Sequence, residues 1–136
     1  MLDNLVNSEG YMNLIKPFFI VSSDKAELSD LENHRRFHLL YKFMFLWKVK
    51  HRLVEGYYKG TKETSFMIED ENVAMNICRE YNQECYLAVD ANRYCTLNDK
   101  EGRVIKTLGL LATSKEKPDR DSYTFIPDLK IYLYTN

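Results

Sequence analysis

Phenols and carboxylates surround a glycine turn near the middle of the chain, where two apolar runs meet. Tyr57 and Tyr58 end the first run, Gly60 and Glu63 lie in the connection between the runs, and Glu69 ends the second run. A glycine in a short connection between two β-rich runs is typical of a hairpin. Hydroxyls and carboxylates near strand ends predict a polar site that binds a cationic ligand.

Each of these residues also has a simpler interpretation. Tyr57 and Tyr58 point to opposite faces if one strand runs through both, so one is expected to pack and the other to meet a ligand. A strand-end tyrosine more often packs than reacts, because its ring is mostly apolar. A strand-end glutamate is usually solvated. The residue types alone therefore leave the roles open.

The elements around the turn predict an α/β fold, a ferredoxin-like sandwich. Four β-rich runs are expected, at residues 16–23, 50–58, 64–69 and 84–90. The capping box Ser29-Asp30-Leu31-Glu32 begins one helix, and Asp70 caps a second that ends near Tyr81. The order strand, helix, strand, strand, helix, strand is the split βαβ arrangement (βαββαβ), in which two helices cover one face of a sheet.

The opposite face of such a sheet also needs a cover. Its strands carry more apolar residues than one helical layer buries, namely Phe19, Val21, Val54, Phe66, Ile68 and Val89. Burial of apolar surface is the main favourable term in association as well as in folding. Self-association is therefore expected.

The length of 136 residues predicts a single domain. Residues 1–15 are interpreted as a loose arm, residues 16–90 as the βαββαβ core, and residues 91–136 as an appended β-hairpin with C-terminal strands. The formal net charge is −1, and no apolar run is long enough to cross a bilayer. We therefore expect an intracellular protein with neither a nucleic-acid nor a membrane partner.

Two further patterns have a functional and a simpler interpretation. His34 and His38 stand four residues apart on one helix face, but no thiol or third histidine stands at metal-ligand spacing beside them. A solvated helix face is favoured, and no metal is expected.

Basic and aromatic residues interleave over residues 42–52, which could serve a phosphate backbone. Lysines that interact with the negative C-terminal end of a helix dipole explain the same pattern, and this interpretation is favoured.

Four short motifs follow one another between residues 18 and 90. They are Phe19-Ile20-Val21-Ser22-Ser23, Leu28-Ser29-Asp30-Leu31-Glu32-Asn33-His34-Arg35-Arg36, Gly56-Tyr57-Tyr58-Lys59 and Asn82-Gln83-Glu84-Cys85-Tyr86-Leu87. Their order and spacing resemble the bacteriophage S-adenosylmethionine-degrading enzymes, especially those of environmental phages. These enzymes were first called hydrolases and are better described as lyases.

The resemblance implies a GlnB-like α/β sandwich that assembles as a homotrimer, with active sites between subunits. It also implies cleavage of S-adenosylmethionine to 5'-methylthioadenosine and homoserine lactone, in which the carboxylate of the substrate displaces the thioether. Such a reaction needs no cofactor and no protein nucleophile, and the chain has neither a P-loop nor a G-x-S-x-G motif. In the host cytoplasm the reaction would deplete the methyl donor of restriction and modification systems.

The resemblance also suggests roles for individual residues. Tyr58 matches the tyrosine that lines the site in this family, and Glu69 is the first choice for its glutamate. An alignment shifted by a few residues selects Glu63 instead. Tyr58 and Glu69 are thus the predicted catalytic residues, with Glu63, Tyr57 and Ser22 predicted to bind substrate. A non-catalytic GlnB-like module that binds a nucleotide or a protein is the alternative function.

Overall fold

The computed structural model describes residues 16–58 and 60–135. The strands are β1 (Phe18–Ser22), β2 (His51–Tyr58), β3 (Thr61–Ile68), β4 (Tyr86–Val89), β5 (Tyr94–Asn98), β6 (Val104–Ser114), β7 (Tyr123–Ile126) and β8 (Ile131–Thr135). The helices are α1 (Asp30–Leu46), which follows β1, and α2 (Glu71–Glu80), which follows β3. The arm predicted at residues 1–15 lies outside the described residues.

The eight strands form one closed antiparallel barrel, in the order β1-β3-β2-β7-β8-β6-β5-β4. The prediction of a ferredoxin-like, GlnB-like α/β sandwich is therefore wrong. Strands β4, β1, β3 and β2 do lie side by side in that order, as in a split βαβ sheet. The sheet does not end there, because β7 pairs with β2 and β5 pairs with β4.

The C-terminal strands change the fold class because they bury the sheet face that a two-layer sandwich would leave open. Their interior residues Leu111, Ile126, Ile131 and Leu133 are buried inside the barrel. They pack in one cluster with interior residues of the first four strands, namely Phe18, Val54, Met67 and Val89. The chain itself thus covers the face for which self-association was expected.

The two helices pack on the outside of the barrel, over β1, β3 and β4. Successive strand residues point to opposite faces, so Phe18 enters the barrel and Phe19 meets the helices. Leu40 and Met44 of α1 and Ile77 of α2 are buried in this second, outer cluster. The part of the barrel wall that carries Phe18, Phe19 and Met67 is therefore apolar on both faces.

Both predicted helix starts are confirmed at the level of the cap. The Ser29 Oγ accepts a hydrogen bond from the Glu32 backbone N–H at 3.1 Å, and the Asp70 Oδ1 accepts one from the Val73 N–H at 3.2 Å. Each satisfies a backbone donor of the first turn that has no partner within the helix. The two caps thus determine where α1 and α2 begin.

The β2–β3 hairpin is tighter than the predicted five-residue loop. Tyr58 pairs with Thr61 across the ladder, so only residues 59 and 60 connect the strands. Gly60 has a φ of +80°, a conformation that suits glycine. Glu63 consequently lies within β3, opposite Gly56, rather than in a loop.

Candidate active site

One mouth of the barrel brings together three of the predicted site residues. Directly opposite residues of an antiparallel pair share a face. Glu63 is opposite Gly56, and Ser22 is opposite Ser65, which lies two residues after Glu63 on the same face of β3. Tyr58, two residues after Gly56, lies on that same face. At about 3.3 Å per strand residue, the levels of Glu63 and Tyr58 are only about 7 Å apart along the hairpin. Glu63 therefore lies beside Ser22, and Tyr58 lies on the same face of the wall, nearer the turn.

The Glu63 carboxyl is half-buried in this mouth. Burial raises its pKa above the usual 4.5, a hydrogen bond with the Ser22 hydroxyl lowers it, and the charge of Asp24 raises it. The Ser22 Oγ also donates to the Thr64 carbonyl oxygen at 3.2 Å. One hydroxyl proton serves one acceptor at a time, so this second contact limits how far Ser22 stabilises the Glu63 carboxylate.

Asp24 adds a second carboxyl to the mouth. Its Oδ2 accepts a hydrogen bond from the Thr64 backbone N–H at 3.4 Å. Burial raises the pKa of Asp24, while the Thr64 contact and the charge of Arg36 lower it. Two carboxyls in a partly desolvated place favour a cationic ligand, because a positive charge stabilises both ionised forms.

A set of hydrogen bonds holds the chain just after β1. The Arg36 Nε of α1 donates to the Ser23 carbonyl oxygen at 2.6 Å, and its Nη2 donates to the Tyr81 carbonyl oxygen. The Gln83 Nε2 donates to the Asp24 carbonyl oxygen at 2.9 Å. Together these contacts tie the end of β1 to α1 and to the segment that follows α2.

Sequence reasoning did not identify Asp24, Arg36 or Gln83 as parts of this site. Arg36 and Gln83 belong to two of the motifs that carry the family resemblance, which was the available signal. Asp24 directly follows the first motif. Spacing along the chain could not place these residues together, because 47 positions separate Arg36 from Gln83.

Tyr57, predicted to bind substrate, lies on the outer face of the barrel wall. Its ring stacks on Tyr123 of β7 with centroids 4.7 Å apart, and its hydroxyl donates to the Glu55 Oε1 at 3.1 Å. Desolvation and the Glu55 carboxylate raise the pKa of this phenol. Of the two neighbouring tyrosines, Tyr57 packs, while Tyr58 is 64% exposed at the barrel mouth.

Glu69 lies at the other end of the hairpin. Tyr58 pairs with Thr61, and Glu69 follows eight residues later, which at about 3.3 Å per residue is roughly 25 Å away. Glu69 lines an open groove of about 550 Å³ between the end of α1 and the start of α2, with Trp47, Lys48, Lys50 and Asp70 among its neighbours. The two predicted catalytic residues therefore do not meet within one chain.

The other ligand classes find little support in the part of the chain that is described. No three His, Cys, Asp or Glu residues there are grouped to hold a metal ion. Arg52, part of the basic stretch, is buried and lies 3.8 Å from the Asp128 carboxylate, measured from its Nε. Lysines of that stretch share their groove with acidic residues. Nor is any described helix both long and apolar enough to cross a bilayer.

Comparison with known proteins identifies the family. The family model of the S-adenosylmethionine lyases matches residues 19–136, which include every strand and helix except the first residue of β1. A search of curated proteins found no matching sequence. The match confirms the family predicted from the four motifs. The chain therefore belongs to the S-adenosylmethionine lyase family, and it is an enzyme that acts on S-adenosylmethionine as a lyase.

Proposed function

We propose that this lyase cleaves its substrate by intramolecular displacement. A carboxylate oxygen of S-adenosylmethionine forms a bond to the γ-carbon of the same methionyl group, and the bond from that carbon to sulfur breaks. The bonding pair goes to sulfur, which neutralises the sulfonium. The products are 5'-methylthioadenosine and homoserine lactone, and the step transfers no proton.

The protein contributes orientation and a dry environment in this proposal. When the protein holds the methionyl tail in attack geometry, the reaction barrier no longer includes the entropic cost of reaching it, which can amount to several kcal/mol. The step joins a carboxylate to a cationic centre and removes both charges, so exclusion of water favours it. Neither contribution requires a protein nucleophile.

The barrel mouth supplies groups of the right chemistry for the tail. The half-buried Glu63 carboxyl beside Ser22 and Asp24 is the observation that carries the proposal. Glu63 would accept hydrogen bonds from the substrate ammonium, and the Tyr58 hydroxyl would orient the tail. Placing the ammonium at Glu63 leaves the substrate carboxylate available to attack.

The experiment is incubation of the purified protein with S-adenosylmethionine, with products resolved promptly by proton NMR. Methylthioadenosine with homoserine lactone from the first time point is the expected result. Methylthioadenosine with homoserine at the first time point would overturn intramolecular attack, because it indicates attack by water. Unchanged substrate would contradict turnover and favour the alternative of a binding module.

We also propose a homotrimer with sites between subunits, acting in the host cytoplasm as a phage defence against restriction. Membership of this enzyme family supports the methyl donor as the target. The exposure of Tyr58 supports a role for a neighbouring subunit, which would exclude water from the mouth. A neighbouring subunit is also the one route by which Glu69 could reach a Tyr58.

Mixing two variants tests whether Glu69 of one subunit reaches Tyr58 of another. Tyr58→Ala and Glu69→Gln chains are unfolded and refolded together, and turnover is compared with each variant alone. If Tyr58 and Glu69 of different subunits form one site, mixed oligomers regain activity. If Glu69→Gln is active by itself, or the mixture stays inactive, the site does not combine these two residues. Light scattering measures the number of subunits in the same samples.

A further inference from the structure

A stripe of five exposed residues runs along the outer face of α1. Its members are Leu31, His34, His38, Tyr41 and Phe45, here called the α1 stripe. Steps of three and four residues place them on one side of the helix, as in the contact face of a helix pair. The side chains of Leu31, Tyr41 and Phe45 are 59%, 43% and 69% exposed. Contiguous apolar surface of this kind marks interaction sites.

The two histidines of the stripe converge on one point. Their Nε2 atoms are 3.1 Å apart, and the ring centroids are 4.4 Å apart. Two zinc–nitrogen bonds of about 2.05 Å at a tetrahedral angle would separate their nitrogens by roughly 3.3 Å. A movement of a few tenths of an ångström therefore converts the pair into a two-ligand metal site.

This chain supplies half of a zinc coordination sphere. Structural zinc takes four ligands, and among the described residues no third His, Cys, Asp or Glu joins the pair. The nearby Arg35 guanidinium makes an ion pair with Glu32, Nη1 to Oε1 3.2 Å, which offsets its repulsion of a cation. Two further ligands are therefore needed beyond the two that the described residues supply.

We propose that a second copy of this chain completes the site, so that a divalent transition metal such as Zn²⁺ pairs two α1 stripes. A two-fold axis midway between His34 and His38 places the helices antiparallel and brings four imidazoles around one point. Leu31 of one copy then lies opposite Tyr41 of the other, because each is five residues from that point, and these side chains become buried. Without metal, four imidazoles would be desolvated at the centre of the contact, which is costly, so pairing depends on the metal.

This pairing is independent of the proposed chemistry. The α1 stripe contains none of the mouth residues Ser22, Asp24, Tyr58 and Glu63. Leu40 and Met44, on the buried side of the same helix, hold α1 against the barrel. Pairing would therefore at least double whatever assembly the metal-free protein forms, because every chain carries one stripe.

Sedimentation of the full-length protein tests the proposal, in EDTA and with one equivalent of ZnCl₂ per chain. We expect zinc to raise the mass measured in EDTA at least twofold, with one zinc bound per two chains by elemental analysis. His38→Asn should abolish both the doubling and the bound zinc. Leu39→Asn, an exposed change on a different side of the same helix, is the matched control and should behave as the wild type does.

A second variant separates metal binding from docking. Leu31→Ser keeps both histidines but removes apolar area from the contact, so zinc should still bind while the dissociation constant of the pair rises roughly tenfold or more. Circular dichroism verifies that each variant is folded. Three results would each overturn the proposal: no bound zinc, one zinc per chain without a change of mass, or doubling that persists in His38→Asn.

Discussion

At the scale of single residues, the structure changes the choice between two glutamates. Glu69 was preferred because of its spacing from Tyr58, yet roughly 25 Å separates them along the hairpin at about 3.3 Å per residue. Glu63 lies beside Ser22 and Asp24 on the face that carries Tyr58. Within one chain, Glu63 is the better partner for the substrate ammonium.

Replacing each glutamate by glutamine tests this choice. Glu63→Gln should lower kcat/KM for S-adenosylmethionine by about 10- to 100-fold, the cost of losing one hydrogen bond to a charged group. Glu69→Gln makes the same chemical change at the other end of the hairpin and should have little effect on kcat/KM. A normal Glu63→Gln enzyme beside an inactive Glu69→Gln enzyme would reverse the assignment. Steady-state kinetics of the two purified variants gives the answer.

The raised pKa of Glu63 predicts how stability depends on pH. In the unfolded chain the group ionises near 4.5, whereas burial raises its pKa in the folded protein. Its contribution to the free energy of unfolding is therefore complete below pH 4.5, and this contribution is lost as the pH rises through the pKa of the folded protein. Glu63→Gln removes this loss, so the variant should gain free energy of unfolding relative to wild type between pH 4 and pH 7.

Urea unfolding at both pH values measures that difference. The wild-type value at each pH is subtracted from that of the Glu63→Gln variant, which cancels the titration of other groups. A difference that stays constant between pH 4 and pH 7, or falls, would contradict the raised pKa. Ser22→Ala is a useful companion, since loss of its hydrogen bond should raise the pKa of Glu63 further.

At the scale of elements, local signals determined where helices begin. Ser29→Ala removes the side-chain acceptor for the Glu32 N–H and should cost about 1 kcal/mol of stability. Ser29→Thr retains a hydroxyl and should cost less. Thermal or urea unfolding measures both. Equal losses for the two variants would indicate that Ser29 acts through something other than its cap.

The buried face of α1 shows where local pattern stops being sufficient. Leu40 and Met44, four residues apart, are fully buried, but Trp47, three residues after Met44, is largely exposed. The helix ends at Leu46, and Trp47 is its C-cap. Periodicity gives the direction of a side chain, whereas the neighbouring element decides whether anything lies there.

At the scale of the whole molecule, closure of the barrel makes the C-terminal strands part of the core. Ile126 of β7 is fully buried inside the barrel, while Ile105 of β6 is exposed. Ile126→Ala should lower the free energy of unfolding by about 2–5 kcal/mol, because it leaves a cavity. Ile105→Ala, the same chemical change at the surface, should cost under about 1 kcal/mol.

Urea unfolding followed by tryptophan fluorescence distinguishes the closed barrel from an appended hairpin. Trp47 lies at the end of α1, far from β7 in the chain, so it reports on the first half of the fold. In a closed barrel, Ile126→Ala lowers the midpoint seen by Trp47. A midpoint unchanged by Ile126→Ala would show that β7 and β8 unfold separately from the rest.

The amino-acid sequence by itself determined the local features and the family. The caps at Ser29 and Asp70, the glycine turn, and the ordered motifs are properties of residues near one another in the chain. They led to the helices, the hairpin and an enzyme that acts on S-adenosylmethionine, a family that the match over residues 19–136 confirms.

Only the tertiary structure decided the fold class and the composition of the barrel mouth. A strand's pattern indicates which face is apolar but not which distant strand pairs with its edge. Residues 123–126 therefore looked like an added edge, although their pairing with β2 and β8 helps to close the barrel. The same long-range pairing placed Ser22 opposite Ser65, so that its hydroxyl meets Glu63 rather than Glu69, and register across β1 and β3 has no signature in sequence spacing.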